Sequence, residues 1–233
     1  MFIRRRPAVV DRPAPLRAVL RVVWWVMLRV VLVVVGSVSL YAFVNPPITW
    51  TMIADRRDHP LAPRQWVVLD DIAPVMRRSV VAAEDANFCL HWGFDMTEIR
   101  KVIESGSSRG ASTITQQTAK NAFLWQGRNW FRKSAETALT PVIEALWSKR
   151  RILEVYLNIA EFGPGVFGIH AASRQFFNTT PDRLTPVQAA RLAAVLPGPK
   201  TRSVSRATNR SRAIADGAAT IARDGRAACF TDG

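Results

Sequence analysis

Glu84-Asp85-Ala86-Asn87-Phe88-Cys89-Leu90-His91-Trp92-Gly93 follows a run from Pro74 in which Val75, Met76, Ser79, Val80 and Ala83 recur at three and four. That period is helical, and it leaves Glu84 at the end of the stripe that faces inward. A glutamate in apolar company is unusual, although most glutamates on amphipathic helices face water, so its position alone assigns no chemistry. Downstream, Asp95-Met96-Thr97-Glu98 has the form of a capping box and opens a helix expected to fray near Ser105-Gly106-Ser107-Ser108. Thr113-Ile114-Thr115-Gln116 repeats the form and opens a second helix toward Lys120-Asn121.

Further on, a helix is expected from Asn129, carrying Arg132, Lys133 and Glu136, with Thr140-Pro141 either kinking it or starting another. Residues 141–160 read as the longest periodic helix, with Ile143, Leu146, Trp147, Leu153 and Leu157 inside and Lys149-Arg150-Arg151 outside. Glu161-Phe162-Gly163-Pro164-Gly165 breaks it, helix resumes from Val166 to Phe177, and Thr185-Pro186-Val187-Gln188 caps another that ends at Pro197-Gly198-Pro199. The fold class is mainly α.

Upstream, Val22 to Val44 is interrupted by one charge, Arg29, and stopped by Asn45-Pro46-Pro47. About twenty apolar residues span a bilayer, and the arginines before them predict a cytoplasmic N-terminus. A cleaved signal peptide and a buried soluble helix compete with this reading. The length of the run and the lack of a small-x-small cleavage site oppose the first, and the flanking arginines and prolines oppose the second. The expected organisation is a basic segment 1–20, a membrane anchor 21–45, a linker 46–65, a domain 66–199 and a basic tail 200–233 with no strong pattern. Trp66-Val67-Val68-Leu69 has strand-like content.

The chain carries 32 Lys+Arg against 18 Asp+Glu, a net charge of +14. Seven of those arginines and one acid lie in residues 1–29, so the remainder keeps a surplus of eight. That balance fits an anionic substrate or membrane surface. No recognition helix, zinc-finger spacing or aromatic RNA-binding signature is present, so no nucleic-acid partner is expected. The two cysteines, Cys89 and Cys229, and three scattered histidines exclude a structural zinc site. The cysteines either pair, stapling the tail beside the first motif, or remain two small apolar side chains.

Between residues 80 and 136 the sequence therefore gathers Glu84, Glu136, the cations Lys120, Arg132 and Lys133, and a block of hydroxyls and amides at a helix start. Such an inventory suits transfer of a sugar from an anionic leaving group: a carboxylate accepts a proton while cations offset negative charge developing elsewhere. The aromatics of residues 123–131, with Gly127 and Arg128, suit either core or a loop at a membrane interface.

Four ordered motifs are similar to those of the monofunctional biosynthetic peptidoglycan glycosyltransferases of glycosyltransferase family 51, single-domain relatives of the glycosyltransferase half of class A penicillin-binding proteins. They are Glu-Asp-x-x-Phe-x-x-His-x-Gly at 84–93, Gly-x-Ser-Thr-Ile-Thr-Gln-Gln-x-x-Lys-Asn at 110–121, Arg-Lys-x-x-Glu at 132–136 and Lys-Arg-Arg-Ile-Leu-Glu-x-Tyr-Leu-Asn at 149–158. The resemblance implies a lysozyme-like helical fold and a polymerase that extends glycan strands from lipid II. It implies a periplasmic catalytic domain on a single-pass inner-membrane anchor, with undecaprenyl-diphosphate-linked glycan as the other substrate and cell wall synthesis or division proteins as candidate partners. By resemblance Glu84 is the general base and Glu136 the second acidic residue near the donor diphosphate. Lys120, Arg132 and Lys133 stabilise the leaving diphosphate, and Asp85, Phe88, His91, Gly110, Ser112, Thr113 and Gln117 shape the cleft. It leaves open a divalent cation, Mg2+ or another, near Glu136, and implies no organic cofactor. No Ser-x-x-Lys occurs, so transpeptidase chemistry is not expected. The competing reading is a lytic enzyme on the same scaffold, for which the cations would lack a diphosphate to meet.

Overall fold

The computed structural model describes residues 15–106, 112–127 and 129–231, with the side chains of Pro15 and Leu16 left aside. Ten α-helices and one hairpin make up these residues, so the mainly helical expectation holds. Helix α1 (Pro15–Phe43) carries the apolar run and is long enough to cross a bilayer over Arg17–Phe43. Its far end packs on the domain: Val38 is buried, and its carbonyl accepts a 2.8 Å hydrogen bond from Trp147 Nε1.

Residues 46–65, expected as a linker, contain helix α2 (Trp50–Asp55). Thr49 caps it by accepting from the Met52 amide, and Thr51, Met52 and Asp55 are buried. The segment at Trp66–Leu69 is extended but forms no strand. It runs along helix α7 (Lys149–Ile159), whose side chains take its polar groups. Asn158 bonds both the amide and the carbonyl of Val67 at 2.8 Å, and Glu154 accepts from Trp66 Nε1 and the Leu69 amide. A side-chain ladder thus replaces the backbone partner the strand-like pattern leads one to expect.

Helix α3 (Pro74–Glu84) begins at a proline, which needs no amide partner in the first turn, and ends at Glu84. Helix α4 (Met96–Ser105) starts at the Asp95 cap and stops at Gly106 in the left-handed conformation, as the capping pattern predicts. Helix α5 (Ile114–Phe123) opens with the complete Thr113–Gln116 capping box.

The longest expected helix is divided differently. Helix α6 (Trp130–Leu146) runs through Pro141, and the break falls at Trp147–Ser148, where the Ser148 hydroxyl accepts from the Arg151 amide to begin α7. The apolar period is continuous across 141–160, and only the serine cap marks the boundary. Strands β1 (Glu161–Gly163) and β2 (Val166–Phe167) form an antiparallel hairpin before helix α8 (Ile169–Phe177). Helix α9 (Pro186–Val195) has the Thr185–Gln188 capping box.

The tail is part of the domain. Helix α10 (Asn209–Arg223) is capped by Thr208 and packs on α3 and α9 through Ile214, Ala218 and Ile221. Beyond it Cys229 is disulfide-bonded to Cys89, so the paired reading of the two cysteines is the one the structure holds.

Candidate active site

Glu84 ends α3 with its side chain only 8% exposed. Gln117 Nε2, one turn into α5, donates 2.8 Å to Glu84 Oε2, and the Tyr156 hydroxyl of α7 donates 3.1 Å to Gln117 Oε1. Oε1 of Glu84 is buried without a hydrogen bond among the described residues; the nearest cation is Arg210 Nη2 of α10 at 3.8 Å. Burial raises the carboxyl's pKa, opposed by the Gln117 hydrogen bond and by the charges of Arg210, Lys120 and Arg202. A carboxylate with one free lone-pair oxygen and a raised pKa is equipped to take a proton near neutral pH.

The cations stand on α5 and α6. Lys120 is largely buried, which lowers its pKa; the charges of Glu136 and Glu84 oppose that shift, and those of Arg132 and Lys133 add to it. On α6, Arg132 and Glu136 are one turn apart and meet at 2.7 Å, while Lys133 pairs with the other Glu136 oxygen and reaches Ser112 Oγ at 3.3 Å. Arg132 is further fixed by donating to the Gly127 carbonyl at 2.8 Å. Glu136 is 3% exposed, and its two oxygens hold Arg132 and Lys133 in place.

Both Glu136 oxygens are occupied by Arg132 and Lys133, and Lys120 adds a third positive charge. These residues do not fit a divalent cation, which needs free oxygen ligands. Asp85, His91 and Asp95 place ligand-type atoms within 4.8 Å of one another. Their carboxylate oxygens, however, already accept from His91, the Ile114 and Glu98 amides and Asn87. That knot is structural.

Several residues expected to bind substrate stand behind the cleft wall. Phe88 is fully buried against Phe230 and beneath the Lys149 ammonium. Asp85 is buried and ties the start of α5 to α3 by accepting 3.0 Å from the Ile114 amide, and His91 holds its second oxygen at 2.8 Å. Thr113 caps α5 and donates to the Gly93 carbonyl at 2.7 Å. Gly93 has φ +82°, and a Cβ there would lie 2.7 Å from Thr140 Cγ2, which explains the glycine in its motif. The resemblance also points to Gly110, and Arg128 was read with the aromatic loop; both lie outside the described residues. In that loop Trp130 and Phe131 are strongly exposed, whereas Phe123 and Trp125 pack against the core.

Sequence reasoning missed Arg202 and Arg210, because the tail read as patternless. The recurrence of Ile214, Ala218 and Ile221 behind the Thr208 cap was the available signal. It also read Lys149, Arg150 and Arg151 as an outer face, yet each is engaged: with Glu144, with Asp70, and with the end of α1.

Glu84 is buried at the end of α3, and the cations Lys120, Arg132 and Lys133 stand on α5 and α6, an arrangement that suits a glycosyltransferase. A transglycosylase family model matches residues 53–222. The chain is 56% identical to a biosynthetic peptidoglycan transglycosylase of Jannaschia sp. (strain CCS1) over 196 residues, covering 82% of each chain. It is 46% identical to one from Pectobacterium atrosepticum over 190 residues, 74% of this chain and 77% of that one. With one from Caulobacter vibrioides the identity is 41% over 203 residues, 84% of this chain and 89% of that one. The chain belongs to the transglycosylase family. The match begins inside α2 and ends inside α10, the two segments that a sequence reading placed outside the domain.

Proposed function

We infer that the chain is a glycan-strand polymerase of peptidoglycan synthesis, transferring the growing lipid-linked glycan onto a sugar hydroxyl of lipid II. Glu84 takes the proton of that hydroxyl as its oxygen attacks the anomeric carbon of the donor. The bond from that carbon to the diphosphate oxygen breaks, the diphosphate leaves with the electron pair, and the centre inverts from α to β-1,4. Lys120, Arg132 and Lys133 offset the charge that grows on the leaving group; removing one such donor costs roughly 3–4 kcal/mol in comparable sites. Glu136 holds Arg132 and Lys133 at the spacing this demands. The observation that carries the reading is the buried Glu84 with Oε1 unbonded, electrostatically coupled to Lys120.

Helix α1 supports a single-pass anchor, with the arginine-rich end cytoplasmic and the domain periplasmic. The Cys89–Cys229 bond suits an oxidising compartment. Substrate and product both ride on a lipid, so tethering confines the search to the membrane plane, and exposed Trp130 and Phe131 help seat the cleft there. Incubation of the full chain with labelled lipid II tests the reading. Long β-1,4-linked polymer is the expected product; shortening of preformed glycan without polymer formation would mark a lytic enzyme instead.

A further inference from the structure

A second carboxyl side chain opens toward the same region from the other side. Glu161 of β1 lines a polar cavity of about 160 Å³ shared with Gln117, Lys120, Asn121, Gln126 and Tyr156. The Glu161 side chain is 11% exposed, and its Oε1 is buried without a hydrogen bond among the described residues. The nearest cation, Lys200 Nζ, lies at 3.9 Å and is held by Asp55. A buried, unbonded carboxyl oxygen is costly, and one at the wall of a cavity marks a place where a ligand completes the hydrogen bonding. The cavity adjoins the reacting centre, because Gln117 both lines it and bonds Glu84, and Tyr156 both lines it and bonds Gln117.

The lining decides what fits. Three side-chain amides and a phenol offer donors and acceptors, and Ile159, Phe167, Leu196 and Pro197 supply an apolar wall. Among the described residues Lys120 is the one cation in the lining, too little positive charge to hold a phosphate dianion. An uncharged ring with hydroxyl and amide groups on its edge and a C–H face uses every part of the lining. We propose that this cavity is a subsite for an uncharged sugar ring of the glycan substrate, with Glu161 hydrogen-bonding that ring directly. The proposal rests on the polymerase reading given above.

The pH dependence follows from the surroundings. Asp55 and His59 from α2 and the turn after it, Lys200 from the loop after α9, and Lys120 from α5 are the charged groups that face Glu161. Burial, with the Asp55 charge, pushes its carboxyl up to about 7 against the lowering effects of Lys200, His59 and Lys120. The protonated form, which donates to a sugar oxygen, is full below that value and is lost as pH rises through it.

The test measures kcat and KM for lipid II from pH 5.5 to 8.5 with the full-length protein in detergent, for the unaltered chain, Glu161→Gln and Glu161→Ala. In the unaltered chain KM should rise above pH 7 and level off about tenfold higher. Glu161→Gln, which keeps a donor at every pH, should hold the low-pH KM throughout, and Glu161→Ala should show a KM about tenfold higher at pH 6 with kcat little changed. An alkaline rise in KM that persists in Glu161→Gln overturns the proposal, as does an unchanged KM in a folded Glu161→Ala protein, which would make the cavity a water pocket only. If Glu161→Ala fails to fold, the isosteric Gln variant decides alone. Glu84→Gln run in parallel separates the two claims: polymerisation by the unaltered chain that Glu84→Gln abolishes sustains the polymerase reading whatever Glu161 does, and no polymer from the folded unaltered chain sinks that reading first.

Discussion

Gln117 Nε2 donates 2.8 Å to Glu84 Oε2, and among the described residues it is the one hydrogen bond that reaches this carboxylate. The bond fixes one oxygen and leaves the other, Oε1, free to accept a proton. It also joins the end of α3 to the second turn of α5, so the base is aimed by a helix whose own start is tied down by Asp85 and Thr113.

Glu84→Gln should lower kcat for lipid II polymerisation by at least about 100-fold, the usual contribution of a positioned general base. Thermal melting at pH 7 should not fall, because the neutral amide spares the burial of a charge. The carboxyl's pKa in the folded chain is raised by burial, so the folded state binds the proton more tightly than the unfolded one. Its stability contribution is therefore full below the unfolded value and is lost as pH rises through the folded value. Activity runs the opposite way, falling as pH drops through the folded value. In the Gln variant the first effect should vanish from the melting curve.

Tyr156→Phe should reduce kcat several-fold. The Tyr156 hydroxyl donates to Gln117 Oε1, and without it the amide loses the partner that sets which end faces Glu84. Stability should fall by about 1 kcal/mol, the net worth of one buried hydrogen bond. Gln117→Ala should have the larger kcat effect, since it frees Glu84 itself. Steady-state kinetics separates the pair, and a kcat loss in Tyr156→Phe greater than that in Gln117→Ala would contradict the relay.

The helical class, the long apolar helix α1 and the caps at Asp95, Thr113 and Thr185 were legible because each rests on local chemistry: a 3.6-residue period, a length of apolar chain, a side chain that returns to its own backbone. Glu84 was legible for the same reason, lying at the end of a readable stripe. What escaped was set by contacts distant in sequence. Trp66–Leu69 has strand composition, but its partner is the side-chain row of Glu154 and Asn158. Phe88 shares a motif with Glu84, yet it packs against Phe230, more than a hundred residues away. Arg210 approaches Glu84 only because α10 folds back on α3, a placement that no local pattern in an arginine-rich tail reveals.

Cys89→Ser with Cys229→Ser should cost about 2–5 kcal/mol of stability. The bond joins residues 140 apart in sequence, so it restricts a long loop of the unfolded chain. It also holds the segment that places Phe230 against Phe88 and the Phe230 carbonyl near Arg77 and Arg150. Calorimetry with and without reductant measures the effect. The variant should melt at the same temperature under both conditions, while the unaltered chain should fall toward it when reduced.

Arg151→Ala should loosen the junction between anchor and domain. Its guanidinium donates to the Tyr41 carbonyl from two nitrogens at 3.1 and 2.9 Å, to the Val44 carbonyl at 2.9 Å and to Asn45 Oδ1 at 2.9 Å, and it pairs with Glu154 at 2.6 Å. Tyr41 and Val44 lie at the C-terminal end of α1, where helix carbonyls lack internal partners and the dipole favours a cation. The Arg151 side chain is only 13% exposed, so its removal takes the donor from the Tyr41 and Val44 carbonyls, while Glu154 keeps Trp66 and the Leu69 amide; the loss is roughly 2–4 kcal/mol. Arg151→Lys should restore less than half of that, because a single ammonium cannot span acceptors that a planar fork reaches from three nitrogens. Limited proteolysis of the full chain in detergent is the discriminating measurement. Cleavage between residues 44 and 49 should accelerate in Arg151→Ala and remain slow in Glu154→Gln, which removes the ion pair but keeps the contacts to α1. If both variants accelerate it equally, the carbonyl contacts are not what docks the anchor.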